Sequence, residues 1–105
     1  MIEKIPANIW TKEDLSEYQI FDVRTPLEWE SGILPNAKCV FLYDNYGFLN
    51  PKFVDEIKLN LIPDKKLALI CRSGHRSLIA AEILAKELNI KSYSLDGGML
   101  ALRRF

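Results

Sequence analysis

The stretch LALICRSGHRS, Leu67 to Ser77, decides the predicted fold of this chain. Its apolar residues Leu67–Ile70 predict a buried strand, and an apolar pattern with helical spacing follows from Leu78 to Leu88. Cys71 stands between the two, so the sequence places its sulfur at the N-terminal end of a helix. Unpaired backbone N–H groups and the helix dipole make such a position electropositive.

The residues around Cys71 favour an ionised thiol. Arg72 and Arg76 add two positive charges, and no acidic residue occurs between positions 67 and 81. In such surroundings the pKa of a cysteine falls from about 8.5 to between about 3.5 and 7.5. Free cysteines are usually buried and unreactive, but the polar residues on one side of Cys71 are typical of reactive, partly exposed thiols. We therefore expect a partly exposed thiolate at neutral pH.

Composition places the chain among globular proteins of ordinary type. The 105 residues suffice for one compact domain, and we expect residues 1–105 to form it. Fourteen basic and fourteen acidic residues cancel, which argues against binding of nucleic acid and of membranes. No apolar run approaches the ~18 residues of a membrane span, and the start of the chain lacks a signal-peptide core. We expect a cytoplasmic protein.

Strand and helix signals alternate along the chain. The predicted strands are an edge strand within Ile2–Ile9, then Tyr18–Asp22, Lys38–Tyr43, Leu67–Cys71 and Lys91–Leu95. The predicted helices are Thr11–Glu17, Pro26–Glu30, one opened by Asn50-Pro51, Leu78–Leu88, and a short one after Gly97-Gly98 with Arg103 and Arg104 near its negative end. The apolar strands indicate an α/β fold, with a mostly parallel five-stranded sheet and helices on both faces.

Functional groups of such sheets gather beyond the carboxyl ends of the strands. We therefore expect residues 22–24, 43–45 and 71–76 to meet at one edge. Asp22 and Arg24 are predicted to form a structural ion pair or to brace a loop, rather than to act in catalysis.

Other residues are predicted to be structural. Glu28 is explained by a capping box with Thr25, and Cys39 lies in an apolar strand, where we expect an inert core thiol. Cys39, Cys71 and His75 do not have the number or spacing of ligands that structural zinc requires. We expect neither a metal nor a cofactor.

Three blocks of the sequence resemble the rhodanese family of sulfurtransferases, in its single-domain form. FDVRTPLEWESGILPNA (residues 21–37) is similar to the first family signature, CRSGHRS (71–77) to the active-site loop and LDGGM (95–99) to the C-terminal signature. The chain departs from the family at Ile33, Asn36 and Leu102, where His, Gly and an aromatic residue are common. The resemblance implies a rhodanese-like domain and a persulfide mechanism in which Cys71 carries the sulfur.

Moving a sulfane sulfur requires a soft nucleophile that is ionised at working pH, and a thiolate meets both needs. The cysteine persulfide that forms is also an anion. Successive backbone N–H groups of a tight loop would hold this anion in a nest. Gly74 permits the necessary turn of the backbone, since glycine tolerates positive φ.

The other residues of the loop have predicted roles in binding. Arg72 and Arg76 are expected to hold the sulfonate oxygens of a donor such as thiosulfate. His75 is expected to line the rim, and Ser73 and Ser77 either cap the helix or donate to the sulfur. The expected partners are a small sulfur donor and a thiol or cyanide acceptor, and a sulfur-accepting protein remains open.

Two other functions compete with sulfur transfer. A cysteine-dependent phosphatase or arsenate reductase places an arginine six positions after the cysteine, whereas here Ser77 is sixth and Arg76 is fifth. A non-catalytic docking module, or a carrier that transfers sulfur stoichiometrically, is compatible with everything in the sequence.

Overall fold

A computed structural model describes residues 2–103 as a sheet of five parallel strands. The strands are β1 (Ile2–Ile5), β2 (Tyr18–Asp22), β3 (Lys38–Cys39), β4 (Lys66–Ile70) and β5 (Ser92–Leu95). They lie in the order β1-β5-β4-β2-β3, and all four neighbouring pairs are parallel. The predicted α/β fold with a five-stranded sheet is confirmed.

Helices cover both faces of this sheet. They are α1 (Ala7–Trp10), α2 (Pro26–Trp29), α3 (Phe53–Asn60), α4 (His75–Leu88) and a 3-10 segment (Gly98–Arg103). Side chains of α3 and α4 pack on one face with Leu67 and Leu69 of β4, whereas α1 and the 3-10 segment cover Ala68 and Ile70 on the other. This alternation, in which successive side chains face opposite sides, explains why all four residues Leu67–Ile70 of β4 are apolar.

The N-terminal part of the chain differs from the prediction. The edge strand ends at Ile5 because Pro6 opens α1, and the expected helix Thr11–Glu17 is wrong. The Thr11 hydroxyl instead donates to the Ala7 carbonyl over 2.6 Å, so Thr11 ends a helix that precedes it. A capping signature favours a helix only where an apolar face follows that the core can accept, and none follows here.

The edge strand next to β2 is also shorter than predicted. In β3, only Lys38–Cys39 of the expected strand Lys38–Tyr43 pair with β2. The backbone N–H groups of Val40 and Leu42 still donate to carbonyls at and just after the end of β2, and both side chains are buried. Because alternate side chains face opposite ways, Cys39 points outward and is exposed. The expected burial of Cys39 in the core is therefore wrong.

The 3-10 segment is the short helix predicted after the double glycine. Arg103 lies in its last turn, whereas Arg104 lies outside the described residues. The backbone N–H groups of Met99 and Leu100 donate to the carbonyls of Cys71 and Arg72, over 2.9 and 3.0 Å. These two bonds dock the segment on the end of β4. Within residues 2–103 no helix combines the length and apolar character needed to cross a bilayer.

Gly98 makes this docking possible, and its replacement tests it. Gly98 has φ 59°, and an added Cβ would overlap the Cys71 carbonyl oxygen. Gly47 has φ 87° with nothing within 4 Å of such a Cβ, so Gly47→Ala is the matched control. Positive φ costs a non-glycine residue about 1–2 kcal/mol. We expect Gly98→Ala to lower the free energy of unfolding in urea by clearly more than Gly47→Ala, and equal losses would contradict the close packing.

Candidate active site at the end of β4

Cys71 directly follows β4, and the chain turns within three residues into α4. Gly74 is the N-cap of α4 and has φ 105°, a conformation that favours glycine. A Cβ there would also lie 3.1 Å from the backbone nitrogen of Gly97. The turn that the sequence predicts at Gly74 is therefore present. The helix begins at His75, three residues earlier than the apolar pattern indicated, so Ser77 belongs to its first turn.

The sulfur of Cys71 has two polar neighbours among the described residues. The Gly74 backbone N–H donates to Cys71 Sγ over 3.0 Å, and the Cys71 thiol donates to Ser77 Oγ over 3.6 Å. Ser77 Oγ in turn donates to the Gly74 carbonyl over 3.0 Å and lies 2.6 Å from Ser94 Oγ. The structure thus aims one backbone N–H of the loop at the Cys71 sulfur, and the nest expected for a persulfide stays a prediction.

Cys71 is 0% exposed, so the expectation of a partly exposed thiol is wrong. Its side chain projects to the α4 side of the sheet and joins the core cluster that includes Val23 and Leu42. On the backbone side, the docked segment around Met99 covers the Cys71 carbonyl. The sequence on one side of Cys71 is polar, yet the side chain is buried because neighbouring elements pack over it.

The remaining residues of the loop divide by exposure. Arg72, Ser73 and His75 are exposed, and Arg76 is half-buried. His75 is thus exposed at the start of α4, and its position at the rim of a binding site stays a prediction. Of the two serines that were candidates to donate to the sulfur, Ser77 reaches it, whereas no described hydrogen bond joins Ser73 to it.

Arg76 forms an ion pair that the sequence did not predict. Its two terminal nitrogens donate to the two carboxylate oxygens of Glu28 over 2.7 and 3.0 Å. Glu28 also accepts from the Thr25 backbone over 3.1 Å, so the predicted capping box is present as well. The pair links residues 48 positions apart in the sequence. The feature of the sequence that could have indicated it is that Glu28 and Arg76 each follow the carboxyl end of one of two neighbouring strands, β2 and β4.

This ion pair shifts the ionisation of both partners. The hydrogen bond from Arg76 is the largest cause that lowers the pKa of Glu28 to about 2, against desolvation that opposes it. The pKa of Arg76 is raised, first by its hydrogen bond to Glu28 and further by the charge of the same carboxylate, against desolvation that lowers it. A donor anion must therefore compete with Glu28 for the Arg76 guanidinium, and whether it binds there stays a prediction.

The ion pair between Asp22 and Arg24 is confirmed, and both side chains are buried. Arg24 Nη2 donates to Asp22 Oδ2 over 2.8 Å and to the Gly32 carbonyl over 2.6 Å. The hydrogen bond to Asp22 is the largest cause that raises the pKa of Arg24. The pair therefore ties the end of β2 to the chain that follows α2, which is the brace that the sequence indicated.

The segment 43–45 contacts the start of α2 and the core, and its meeting with the cysteine loop at one edge stays a prediction. Asn45 Oδ1 accepts from the Leu27 backbone over 3.0 Å, and Tyr43 packs against the core. Asn45 thus holds the start of α2, the helix that carries Glu28.

Two cavities differ in their relation to the site. The larger, of about 510 Å³, lies near Trp10, Tyr18 and Lys65 and contains none of the predicted site residues. The smaller, of about 300 Å³, lies beside the loop and is lined by Arg72, Glu28 and Arg103 together with apolar residues of the 3-10 segment. The smaller cavity is the one that borders the cysteine loop, through Arg72, although Cys71 is not among its lining residues.

The second cysteine and the possible metal ligands stand apart from this site. Partial desolvation, with a contribution from Asp22, raises the pKa of Cys39, which disfavours its thiolate. Within the part of the chain that the structure describes, His, Cys, Asp and Glu side chains form no group of three that could hold a metal ion.

The architecture defines a class of protein: a single α/β domain with a cysteine loop at the carboxyl end of a central parallel strand. The chain matches the family described as Rhodanese-like domain over residues 7–104. It therefore belongs to the Rhodanese-like domain family.

Relatives and solved structures agree with this assignment. A Bacillus subtilis protein with the provisional name sulfurtransferase YtwF is 31% identical over 99 residues, which cover 94% of this chain and 80% of that protein. The Rhodanese-like/PpiC domain-containing protein 12, chloroplastic, of Arabidopsis thaliana is 30% identical over 95% of this chain, which spans only 32% of that longer protein. The crystal structure of a rhodanese-related protein from Thermoplasma volcanium has a TM-score of 0.71 at 27% identity, covering 97% of this chain and 91% of that one.

Replacing Glu28 should change how stability depends on pH. Because the folded pKa of Glu28, about 2, lies below its ordinary value of 4.5, the pair stabilises the fold fully above pH 4.5 and less as pH falls towards 2. We expect Glu28→Gln to be less stable than the unchanged protein at pH 7, by an amount that shrinks below pH 4.5. Urea titrations at several pH values measure this, with Glu30→Gln, exposed on the same turn, as control. A constant difference down to pH 2 would contradict the ion pair.

Proposed function

We propose that this domain is a sulfurtransferase that moves a sulfane sulfur through a persulfide on Cys71. The donor is thiosulfate, a persulfide or a polysulfide, and the acceptor is thiophilic. One observation carries the proposal: the sulfur of Cys71 accepts the Gly74 N–H at the N-terminus of a 14-residue helix, with a serine hydroxyl beside it. Family membership and relatives named as sulfurtransferases support it.

The reaction has two displacements. The Cys71 thiolate attacks the outer sulfur of thiosulfate, a sulfur–sulfur bond forms, and the sulfur–sulfur bond of the donor breaks as sulfite leaves with the electron pair. An acceptor such as cyanide then attacks the outer sulfur of the persulfide. The persulfide bond breaks, thiocyanate leaves and the Cys71 thiolate is restored. Both states of the enzyme carry a negative sulfur, which the helix N-terminus and hydrogen-bond donors stabilise.

Charged side chains of the loop have unequal parts in this proposal. Arg72 is exposed and lines the cavity beside the loop, so its guanidinium is available to an anionic donor. Arg76 is bonded through both terminal nitrogens to Glu28 and serves first to join the loop to α2. We assign donor binding to Arg72 and, after displacement of Glu28, to Arg76.

Access to the sulfur requires movement, because Cys71 is fully buried. Arg72 and Ser73, which directly follow Cys71, are both exposed. The proposal therefore includes a shift of this loop when a donor binds. Both cysteines are free thiols, as a reducing compartment such as the cytoplasm would keep them.

The same burial favours a second candidate function. A domain whose thiol is enclosed suits a non-catalytic docking module, or a carrier that delivers one sulfur to a protein acceptor. Steady-state turnover with thiosulfate and cyanide separates the candidates: a catalyst releases many equivalents of thiocyanate, a carrier about one, and a docking module none. Release of phosphate from an aryl phosphate, without thiocyanate, would instead favour the phosphatase alternative.

The persulfide itself is directly testable. After treatment with thiosulfate, we expect intact mass spectrometry to show one added sulfur atom, which cyanide removes. Cys71→Ser should abolish the addition while the fold persists, because Gly74 N–H and Ser77 still find a hydroxyl partner. Cys39→Ser, at the exposed thiol, is the matched control and should retain the addition. Sulfur that remains bound in Cys71→Ser would contradict the mechanism.

A further inference from the structure

Two buried serines connect the sulfur of Cys71 to strand β5. Ser77 Oγ lies 3.6 Å from Cys71 Sγ and 2.6 Å from Ser94 Oγ. Ser77 is 0% exposed and Ser94 is 1% exposed, so bulk solvent does not reach either hydroxyl. Ser94 is paired in register with Leu69 of β4 and is brought to the sulfur only by the order of the strands. No sequence motif singles it out.

Counting hydrogens fixes the direction of these bonds when the thiol is neutral. Ser77 has one hydrogen, and it donates to the Gly74 carbonyl over 3.0 Å while the Cys71 thiol donates to Ser77 Oγ. Among residues 2–103 the Ser94 hydroxyl has Ser77 Oγ as its one hydrogen-bond partner. The distance alone allows either hydroxyl to donate, but all three contacts can be hydrogen bonds at once only if Ser94 is the donor in this pair.

Loss of the Cys71 proton changes two of these bonds: the bond between Cys71 and Ser77 reverses its direction, and the bond from Ser77 to the Gly74 carbonyl breaks. The anionic sulfur can only accept, so the Ser77 hydroxyl turns from the Gly74 carbonyl to the sulfur and joins the Gly74 N–H as a second donor. The Gly74 carbonyl, at the N-cap, keeps the first hydrogen bond of the helix. Ser94 continues to donate to Ser77, which strengthens Ser77 as a donor to the anion.

We propose that Ser94 is a positioning residue that stabilises the anionic sulfur of Cys71 by donating a hydrogen bond to Ser77. The inference rests on the proposed function and deepens it, because the thiolate that these hydroxyls stabilise is the nucleophile of the first displacement. The same donors would hold the terminal sulfur of a persulfide less directly. The opposite arrangement, in which Ser77 donates to Ser94, would withdraw a donor from the sulfur and would make Ser94 unfavourable to the anion.

Charged groups around the sulfur stay the same when Ser94 is replaced. On α4 they are His75 and Arg76, and Arg76 is paired with Glu28 of α2. On β2 and the following residues they are Asp22 and Arg24, paired with each other, and the loop contributes Arg72. Asp96 follows β5, and its Oδ1 lies 3.6 Å from where a Cβ on Gly74 would stand. A shift in the ionisation of Cys71 after replacement of Ser94 therefore reports the hydroxyl chain.

The experiment measures the pH dependence of alkylation of Cys71 by iodoacetamide, in a Cys39→Ser background that leaves one thiol. The midpoint of the profile reports ionisation even where burial slows the reagent at every pH. We expect Ser94→Ala to raise this midpoint by about half a unit to one unit, which is about a three- to ten-fold loss of thiolate below the midpoint. Ser77→Ala, which removes the direct donor, should raise it further.

Ser92→Ala is the matched control. Ser92 lies on the same strand two residues earlier, is equally buried, and its hydroxyl has no hydrogen-bond partner among the described residues. Its replacement should leave the midpoint unchanged. Ser94→Thr and Ser94→Val are nearly equal in shape and differ in the hydroxyl, so Thr should restore the midpoint and Val should not. This pair preserves the test where Ser94→Ala folds poorly.

Two results would overturn the inference. One is a midpoint that falls or stays unchanged in both Ser94→Ala and Ser94→Val. The other is an undiminished shift from Ser94→Ala when Ser77→Ala is already present, since the effect would then bypass Ser77. Alkylation needs no sulfur donor, so a shifted midpoint in a protein without transferase activity would contradict the proposed function and leave the hydroxyl chain standing.

Discussion

The hydrogen bond from the Gly74 backbone to the sulfur of Cys71 is the interaction on which the site depends. It requires a buried strand that ends at the cysteine, a left-handed turn and a helix that starts immediately afterwards. Each requirement constrains another part of the molecule: the turn packs Gly74 against Gly97, and the carbonyls at the end of β4 receive the 3-10 segment. The C-terminal part of the chain is thereby docked against the loop that carries the sulfur.

Two ion pairs hold the rest of the carboxyl edge together. Asp22 and Arg24 join the end of β2 to the chain after α2, and Glu28 and Arg76 join α2 to the start of α4. Glu28 has a double task, because the same carboxylate closes the capping box of its own helix. Buried or half-buried pairs of this kind contribute geometry more dependably than net stability, since desolvation offsets much of their attraction.

The enclosure of Cys71 sets the terms for its chemistry. A buried sulfur receives few hydrogen bonds. Each of them is more effective than it would be in water, because the dielectric constant of the protein interior is low. Of the donors available here, one is a backbone N–H, which holds its place, and the other is a hydroxyl that can point to either of two acceptors. Such an arrangement can accommodate the Cys71 sulfur in both its protonated and its anionic form.

The sequence alone determined the alternation of strands and helices, the parallel sheet, the position of Cys71 at a strand end, the glycine turn and the bond between Asp22 and Arg24. These features depend on periodicity or on residues within about four positions of each other, where local geometry decides. Only the tertiary structure decided that Cys71 is enclosed, that Cys39 is exposed, and that Glu28 meets Arg76 and Ser94 meets Ser77. Those contacts join residues 17 to 48 positions apart, and they arise from strand order, register and the docking of the last segment, which no local pattern encodes.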